Sequence, residues 1–117
     1  MVDDAVSSLI RRYLRGLAEV GIPAKSGIVF GSCARGQMHR WSDIDLVVLS
    51  PRFDRPFGLD EVEALWLVAG RTDSRIEPVP CGERQWLEDD ASTIIEVARR
   101  EGVRIALGSA EGGESAE

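Results

Sequence analysis

A short apolar run in the middle of the chain constrains the fold more than any other feature. Residues 44–49 read Ile-Asp-Leu-Val-Val-Leu, and the run ends at Ser50-Pro51. A nearly continuous apolar strand is typical of a sheet that is covered by helices on both faces. Asp45 lies inside this run and Asp43 lies two residues before it. The sequence therefore predicts an α/β (α+β) fold with two carboxylates at the start of a central strand.

The remaining segments predict a small sheet with helices packed on it. Apolar residues recur at three- and four-residue spacing through residues 4–20, which predicts an amphipathic helix that stops at Gly21. The polar, glycine-broken segment 33–42 fits a loop with one or two helical turns. Strands predicted at residues 27–30, 75–79 and 103–107 bring the sheet to about four strands of mixed direction. Two further helices are predicted at residues 59–69 and 92–100.

Length and composition predict one folded domain. The chain has 117 residues, 44% hydrophobic and 29% charged, which is ordinary for a globular domain. Residues 1–107 are predicted to form that domain. Residues 108–117 are only Gly, Ser, Ala and Glu and are predicted to be a disordered tail.

Charge and hydropathy narrow the expected partners and location. The net charge of −6 disfavours general attraction to a nucleic-acid backbone, so no stable nucleic-acid binding is expected. No apolar run approaches the roughly 18 residues of a membrane span, and the N-terminus has no signal-peptide pattern. We therefore expect a cytoplasmic protein without membrane contact.

Asp43 and Asp45 form a pattern that suits a divalent cation. Residues two apart in a strand point to the same face, with roughly 6.5–7 Å between their alpha carbons. The two like charges repel, and a hard cation such as Mg²⁺, which prefers carboxylate oxygens and substrate phosphates, would offset that repulsion. Such a pair can also serve two ions about 3.5–4 Å apart. The structural alternative is that Asp43 caps a turn and Asp45 faces solvent.

The segment before these acids suits phosphate binding. Gly31-Ser32 follows a predicted strand and precedes a predicted helical turn. A glycine there permits close backbone approach, and free amides at a helix start attract phosphate oxygens. The Ser32 hydroxyl adds a donor, and the Arg35 guanidinium lies one turn further on. Neighbouring strands would bring these donors and the two aspartates together.

These residues resemble a known family. Gly31-Ser32, ten intervening residues and then Asp43-Ile44-Asp45 match the signature of the nucleotidyltransferases related to DNA polymerase beta. The fuller strings Gly-Ser-Cys-Ala-Arg-Gly at 31–36 and Ser-Asp-Ile-Asp-Leu at 42–46 resemble its minimal nucleotidyltransferase branch. The likeness extends over nearly the whole predicted domain, from the leading helix to Glu-Gly-Val at 101–103. It implies the small nucleotidyltransferase fold.

The resemblance also implies a third acid and a reaction. Glu77 matches the position of the family's third carboxylate, where many relatives carry aspartate; the alternative is an ordinary surface glutamate. Asp43, Asp45 and Glu77 would then bind Mg²⁺, with two ions expected, and would be the catalytic residues. Gly31, Ser32 and Arg35 would bind the nucleotide. The expected reaction moves a nucleoside monophosphate from ATP, or another nucleoside triphosphate, to a hydroxyl group.

The acceptor is implied by the resemblance rather than by any residue. Minimal nucleotidyltransferases commonly accompany a small helical HEPN protein, and the implied role is an antitoxin that adds AMP to a tyrosine of that HEPN toxin in a hetero-oligomer. A homodimer is a second assembly left open. Two other functions stay open as well: transfer to a small hydroxylated molecule such as an antibiotic, and a non-catalytic antitoxin that blocks its partner by occlusion.

Overall fold

The structure is a computed structural model that describes residue 2 and residues 4–31, 42–89 and 91–107. The predicted turns within residues 33–41 and the predicted tail, residues 108–117, lie outside this range. The described elements, in chain order, are α1 (Asp4–Glu19), β1 (Ser26–Phe30), β2 (Ile44–Leu49), a 3-10 turn (Pro51–Asp54), α2 (Leu59–Thr72), β3 (Ile76–Cys81), α3 (Glu83–Glu88), α4 (Thr93–Glu101) and β4 (Val103–Ala106).

The four strands form one mixed sheet in the order β3-β2-β1-β4. Strand β1 pairs antiparallel with both β2 and β4, and β2 pairs parallel with β3. The parallel pair requires a crossover, which the 3-10 turn and α2 provide. The prediction of a small mixed sheet with helices packed on it is confirmed.

Helices α1 and α2 cover one face of the sheet. The buried stripe of α1 and the inner side of α2 meet alternate residues of the strands, among them Ile44, Leu46 and Ile76. The buried Tyr13 hydroxyl of α1 donates a hydrogen bond to the Leu65 carbonyl oxygen of α2 at 2.9 Å. This bond satisfies the one polar atom that Tyr13 brings into the core.

The other face of the sheet is covered by the short helices α3 and α4. The side chains between them and the sheet form a second apolar cluster, against which Phe30, Val79 and Trp86 pack; its buried members are Ile28, Val47, Leu49, Cys81, Ile95 and Ala98. Both faces of β2 are therefore buried beyond its first two residues, as its apolar sequence predicts.

Three details differ from the sequence predictions. Helix α2 continues past Gly70 to Thr72, where the Asp73 amide donates to the Ala69 carbonyl oxygen at 2.8 Å. Strand β3 continues through Pro80 to Cys81, because an edge strand needs ladder donors on one side only. Helix α3 is too short to show a hydrophobic period, so the sequence pattern did not indicate it.

No helix in the described part of the chain is long and apolar enough to cross a bilayer.

Candidate active site

One end of the sheet gathers the acids singled out in the sequence. Strand β1 ends at this edge, whereas β2 and β3 begin there. The register aligns Phe30 with Asp45 and aligns Asp45 with Glu77, so these residues follow one another across three strands. Adjacent strands lie about 4.8 Å apart, which makes Asp45 and Glu77 direct neighbours. The fold thus brings together two acids that are far apart in the sequence.

The side-chain alternation of the strands turns these acids away from α1 and α2. Ile44 and Ile76 are buried in the core beneath those two helices, with 0% and 1% exposure. Asp45 and Glu77 follow them and therefore lie on the opposite face of the sheet. Both are half-buried, and Asp43, just before β2, is exposed. The three carboxyl groups are accessible from solvent on the α3–α4 side.

Burial and neighbouring charges raise the pKa of two of these acids, Asp45 and Glu77. Burial, followed by the charge of Asp43, raises the pKa of Asp45 above its ordinary value. Burial also raises the pKa of Glu77, and a side-chain hydrogen bond with Asp43 and the charges of both aspartates raise it further. The three acids therefore concentrate negative charge at this end of the sheet.

The donor set fits a divalent metal ion. Among the described residues, no ion pair includes Asp43, Asp45 or Glu77. Their oxygens are the hard ligands that Mg²⁺ prefers, and a cation would offset the repulsion between them. Within the described ranges, however, no group of three or more Asp, Glu, His or Cys side chains is arranged so that it could hold a metal ion. An open set of acids suits Mg²⁺, which usually keeps several waters and binds substrate phosphates as well.

Gly31 borders the acids at the end of β1. Its φ of 75° is in the left-handed region that non-glycine residues rarely adopt. A Cβ added there would lie 2.6 Å from the Asp45 Oδ2 atom, closer than van der Waals contact permits. The backbone thus approaches the Asp45 carboxylate in a way that only glycine allows.

A turn that the sequence analysis missed fixes the relative position of β2 and β3. The Ile44 amide donates to the Arg75 carbonyl oxygen at 2.8 Å. The Asp73 carboxylate accepts from the Arg75 amide at 2.9 Å and from its Nε and Nη2 atoms at 3.0 and 2.8 Å. The side-chain hydrogen bond from Arg75 holds the pKa of Asp73 below its ordinary value. The only signal in the sequence is Asp-Ser-Arg before a strand, a common turn pattern.

Two of the predicted nucleotide-binding residues cannot be placed. Ser32 and Arg35 lie outside the described residues, and so do His39 and the Cys33 thiol. Their predicted positions beside the acids stay predictions.

Cys81 is buried beneath α4, and its Sγ atom lies 3.3 Å from the Gly82 carbonyl oxygen. Burial raises the pKa of Cys81 to about 12, so this thiol stays protonated near neutral pH.

Comparison with known protein families assigns the chain to one of them. The sequence profile of the nucleotidyltransferase domain family matches residues 10–106. The chain belongs to this family. A comparison with curated protein sequences gives no match.

Solved structures share the fold. A toxin–antitoxin crystal structure with AMP-PNP matches with a TM-score of 0.56 and 23% identity, over 86% of this chain and 76% of that one. A candidate nucleotidyltransferase from Sulfolobus solfataricus matches with a TM-score of 0.55 and 17% identity, over 95% of this chain and 86% of that one. At these identities the likeness is one of fold.

Proposed function

We propose that the protein is a metal-dependent nucleotidyltransferase that moves a nucleoside monophosphate from a nucleoside triphosphate to a hydroxyl group. One observation carries the proposal: the strand register places Asp45 beside Glu77, with Asp43 just before β2 at the same end of the sheet. Family membership supplies the class of reaction. Divalent metal and a nucleoside triphosphate are the usual requirements of that class.

Each site residue has a proposed role. Asp43 and Asp45 would hold Mg²⁺, with two ions expected, and Glu77 would complete the ligand set. Gly31 leaves room for the Asp45 carboxylate, and its backbone lies where a phosphate chain can approach. Ser32 and Arg35 would bind the terminal phosphates. The metal, when bound, supplies positive charge that screens the triphosphate and the departing pyrophosphate.

In the proposed reaction, side chains of this protein accept the hydroxyl proton and stabilise the leaving pyrophosphate. The acceptor oxygen forms a bond to the alpha phosphorus, and the bond between that phosphorus and the pyrophosphate oxygen breaks in line. The hydroxyl proton passes to the Glu77 carboxylate. Ser32 and Arg35 would stabilise the charge on the leaving pyrophosphate.

For the donor and acceptor, we propose ATP and a tyrosine of a cognate HEPN-type toxin, which makes the chain an antitoxin that acts by adding AMP. The shared fold with a toxin–antitoxin protein crystallised with AMP-PNP supports this choice. In this proposal a separate partner protein is the source of specificity.

The test is transfer of label. The purified protein is incubated with Mg²⁺, each of the four alpha-labelled nucleoside triphosphates in turn, and the product of a neighbouring gene that encodes a small helical protein. We expect label from ATP on a tyrosine of that protein, located by mass spectrometry. The variant Asp45→Asn should abolish transfer, whereas His39→Ala and the surface control Glu96→Gln should retain most of it.

The alternatives give different outcomes. Label on a small hydroxylated compound, but never on a protein, would support the antibiotic-type acceptor. Absence of transfer with all four nucleotides, together with full protection by Asp43→Asn plus Asp45→Asn, would instead establish inhibition by occlusion.

A further inference from the structure

Helix α2 is apolar on two sides, and only one of them is used by the core. Leu65, Val68 and Ala69 are buried against α1 and the sheet. On the other side, Leu59 is 69% exposed, Trp66 is 49% exposed and Leu67 is 62% exposed. We call this side the outer face of α2; it consists of Leu59, Asp60, Val62, Glu63, Trp66 and Leu67. These residues, with Ala64, border a shallow hollow of about 880 Å³.

The exposed apolar residues of this face lie together on one side of α2 rather than scattered over the surface. Residues three, four, seven and eight positions apart share one side of a helix, so the exposed apolar residues form one continuous strip about 12 Å long. Contiguous exposed apolar surface that contains tryptophan is characteristic of protein–protein contact sites. The strip has the length and shape that match two to three turns of another helix.

The acidic residues of the outer face restrict what can cover it. Glu63 lies four residues from both Leu59 and Leu67 and three from Trp66, so any partner that covers those side chains also surrounds its carboxylate. Asp60 flanks the same strip. Among the described residues, no ion pair includes either acid. Burial of an unpaired carboxylate is strongly unfavourable, so a stable partner must bring a basic group to Glu63.

A second copy of the chain does not meet that requirement. A twofold contact between two outer faces would bring Glu63 close to Glu63, with Asp60 of both copies nearby. Each copy also has a net charge of −6, which adds repulsion. Charge complementarity favours a different protein with a basic surface.

We propose that the outer face of α2 docks an amphipathic helix of a separate protein, with apolar side chains at three- and four-residue spacing and a Lys or Arg against Glu63. Helix α2 packs on the face of the sheet that carries Ile44 and Ile76, whereas Asp45 and Glu77 lie on the opposite face. A helix docked on α2 thus leaves the acidic site open. The docking site goes beyond the proposed transferase function and does not depend on it.

The experiment uses two synthetic stapled helices of about 18 residues, or five turns. Both carry the same Leu and Ile strip, and the positions that flank the strip are Lys in one peptide and Glu in the other. Binding to the full-length ¹⁵N-labelled protein is followed by amide chemical shifts. We expect the Lys peptide to shift the amides of residues 59–70 and to bind at least about tenfold tighter than the Glu peptide. The double variant Asp60→Lys plus Glu63→Lys should reverse this preference.

Two matched variants separate docking from folding. Leu67→Lys changes the outer face, and Leu87→Lys changes a leucine of α3, which is 74% exposed on the other side of the sheet. Both variants should keep the thermal midpoint and the Mn²⁺ affinity of the wild type, because both side chains are exposed and neither belongs to the acidic site. Only Leu67→Lys should lose binding of the Lys peptide.

Several results would overturn the proposal. Equal binding of both peptides, shifts that centre on another element, or no binding by the wild type would each do so. A wild-type dimer in light scattering that Leu67→Lys converts to monomer would assign the face to a second copy instead. Because Mn²⁺ affinity is measured on the same samples, failure of the docking site and failure of the acidic site give different results.

Discussion

Replacement of Gly31 by alanine tests the link between backbone geometry and the acidic site. Two separate penalties arise from the structure. The φ of 75° costs a non-glycine residue about 1–2 kcal/mol. The added Cβ would also lie 2.6 Å from Asp45 Oδ2, so the carboxylate must leave its position, at about another 1 kcal/mol for a distorted rotamer. We expect a total loss of about 2–3 kcal/mol of unfolding free energy.

Gly21 offers a matched control. Its φ is 89°, and a Cβ added there would meet nothing within 4 Å. Gly21→Ala therefore incurs the first penalty alone, about 1–2 kcal/mol, which corresponds to roughly 4–8 °C in thermal midpoint for a domain of this size. Urea denaturation measures both variants. Mn²⁺ titration by calorimetry should show a loss of affinity for Gly31→Ala and none for Gly21→Ala.

A double-mutant cycle isolates the contact with Asp45. In an Asp45→Ala background the nearest remaining atom to the added Cβ is the residue 45 Cβ, at 3.8 Å, which is ordinary contact. Gly31→Ala should then cost no more than Gly21→Ala, so the cycle should give a coupling of about 1 kcal/mol. The reasoning is refuted if the coupling is zero, or if both glycine variants bind Mn²⁺ as the wild type does.

Three further predictions follow from the same contacts. Asp45→Asn should raise the metal-free thermal midpoint at pH 7, because burial and then the charge of Asp43 raise the pKa of Asp45 and so destabilise the folded state at neutral pH; the like-charge part amounts to about 0.2–1 kcal/mol of unfolding free energy. Thermal scans should show this gain disappearing as the pH falls toward 4, and a gain that persists there would contradict the assignment. Asp73→Asn should lower the unfolding free energy by about 1 kcal/mol at pH 7, a figure discounted for partial exposure, because the Asp73 pKa is lowered in the folded state. Urea titrations should show this difference fading as the pH falls below about 4 and through the folded pKa, and equal losses at pH 7 and pH 3 would argue against the pair with Arg75. Tyr13→Phe should cost about 1 kcal/mol in the same urea assay, since the Leu65 carbonyl oxygen loses a buried donor, and an unchanged midpoint would exclude a stabilising role for this bond.

Local pattern was sufficient for much of the fold. Strand β2 was predicted with the observed bounds, because its apolar residues need cover on both faces. Helix α1 follows from its apolar period, and Gly21 ends it with a positive φ. In both cases the signal is contained within one element, so sequence periodicity is enough to detect it.

Contacts between different helices and strands could not be predicted from local sequence patterns. The period of residues 59–69 placed Trp66 in line with Leu65 and Ala69, yet the structure buries those two and leaves Trp66 half exposed. A helix that is apolar on two sides does not indicate which side meets the core, since that depends on the helices and strands beside it. The Asp73–Arg75 turn links α2 to β3, and its hydrogen bond to the Ile44 amide of β2 joins segments that are far apart in the sequence, so no local pattern indicates it.

The arrangement of the acidic site was also predictable from the sequence only in part. The sequence by itself predicted that Asp43 and Asp45 point to one face at the start of a strand, because the side-chain period of a strand is two residues; the structure begins β2 at Ile44, one residue after Asp43. It also indicated Gly31 and, through resemblance, Glu77. Only the tertiary structure decided that Glu77 lies beside Asp45, since that depends on the parallel register of β2 and β3. The same holds for Gly31, whose approach to the Asp45 carboxylate arises from the pairing of β1 with β2 and not from either segment alone.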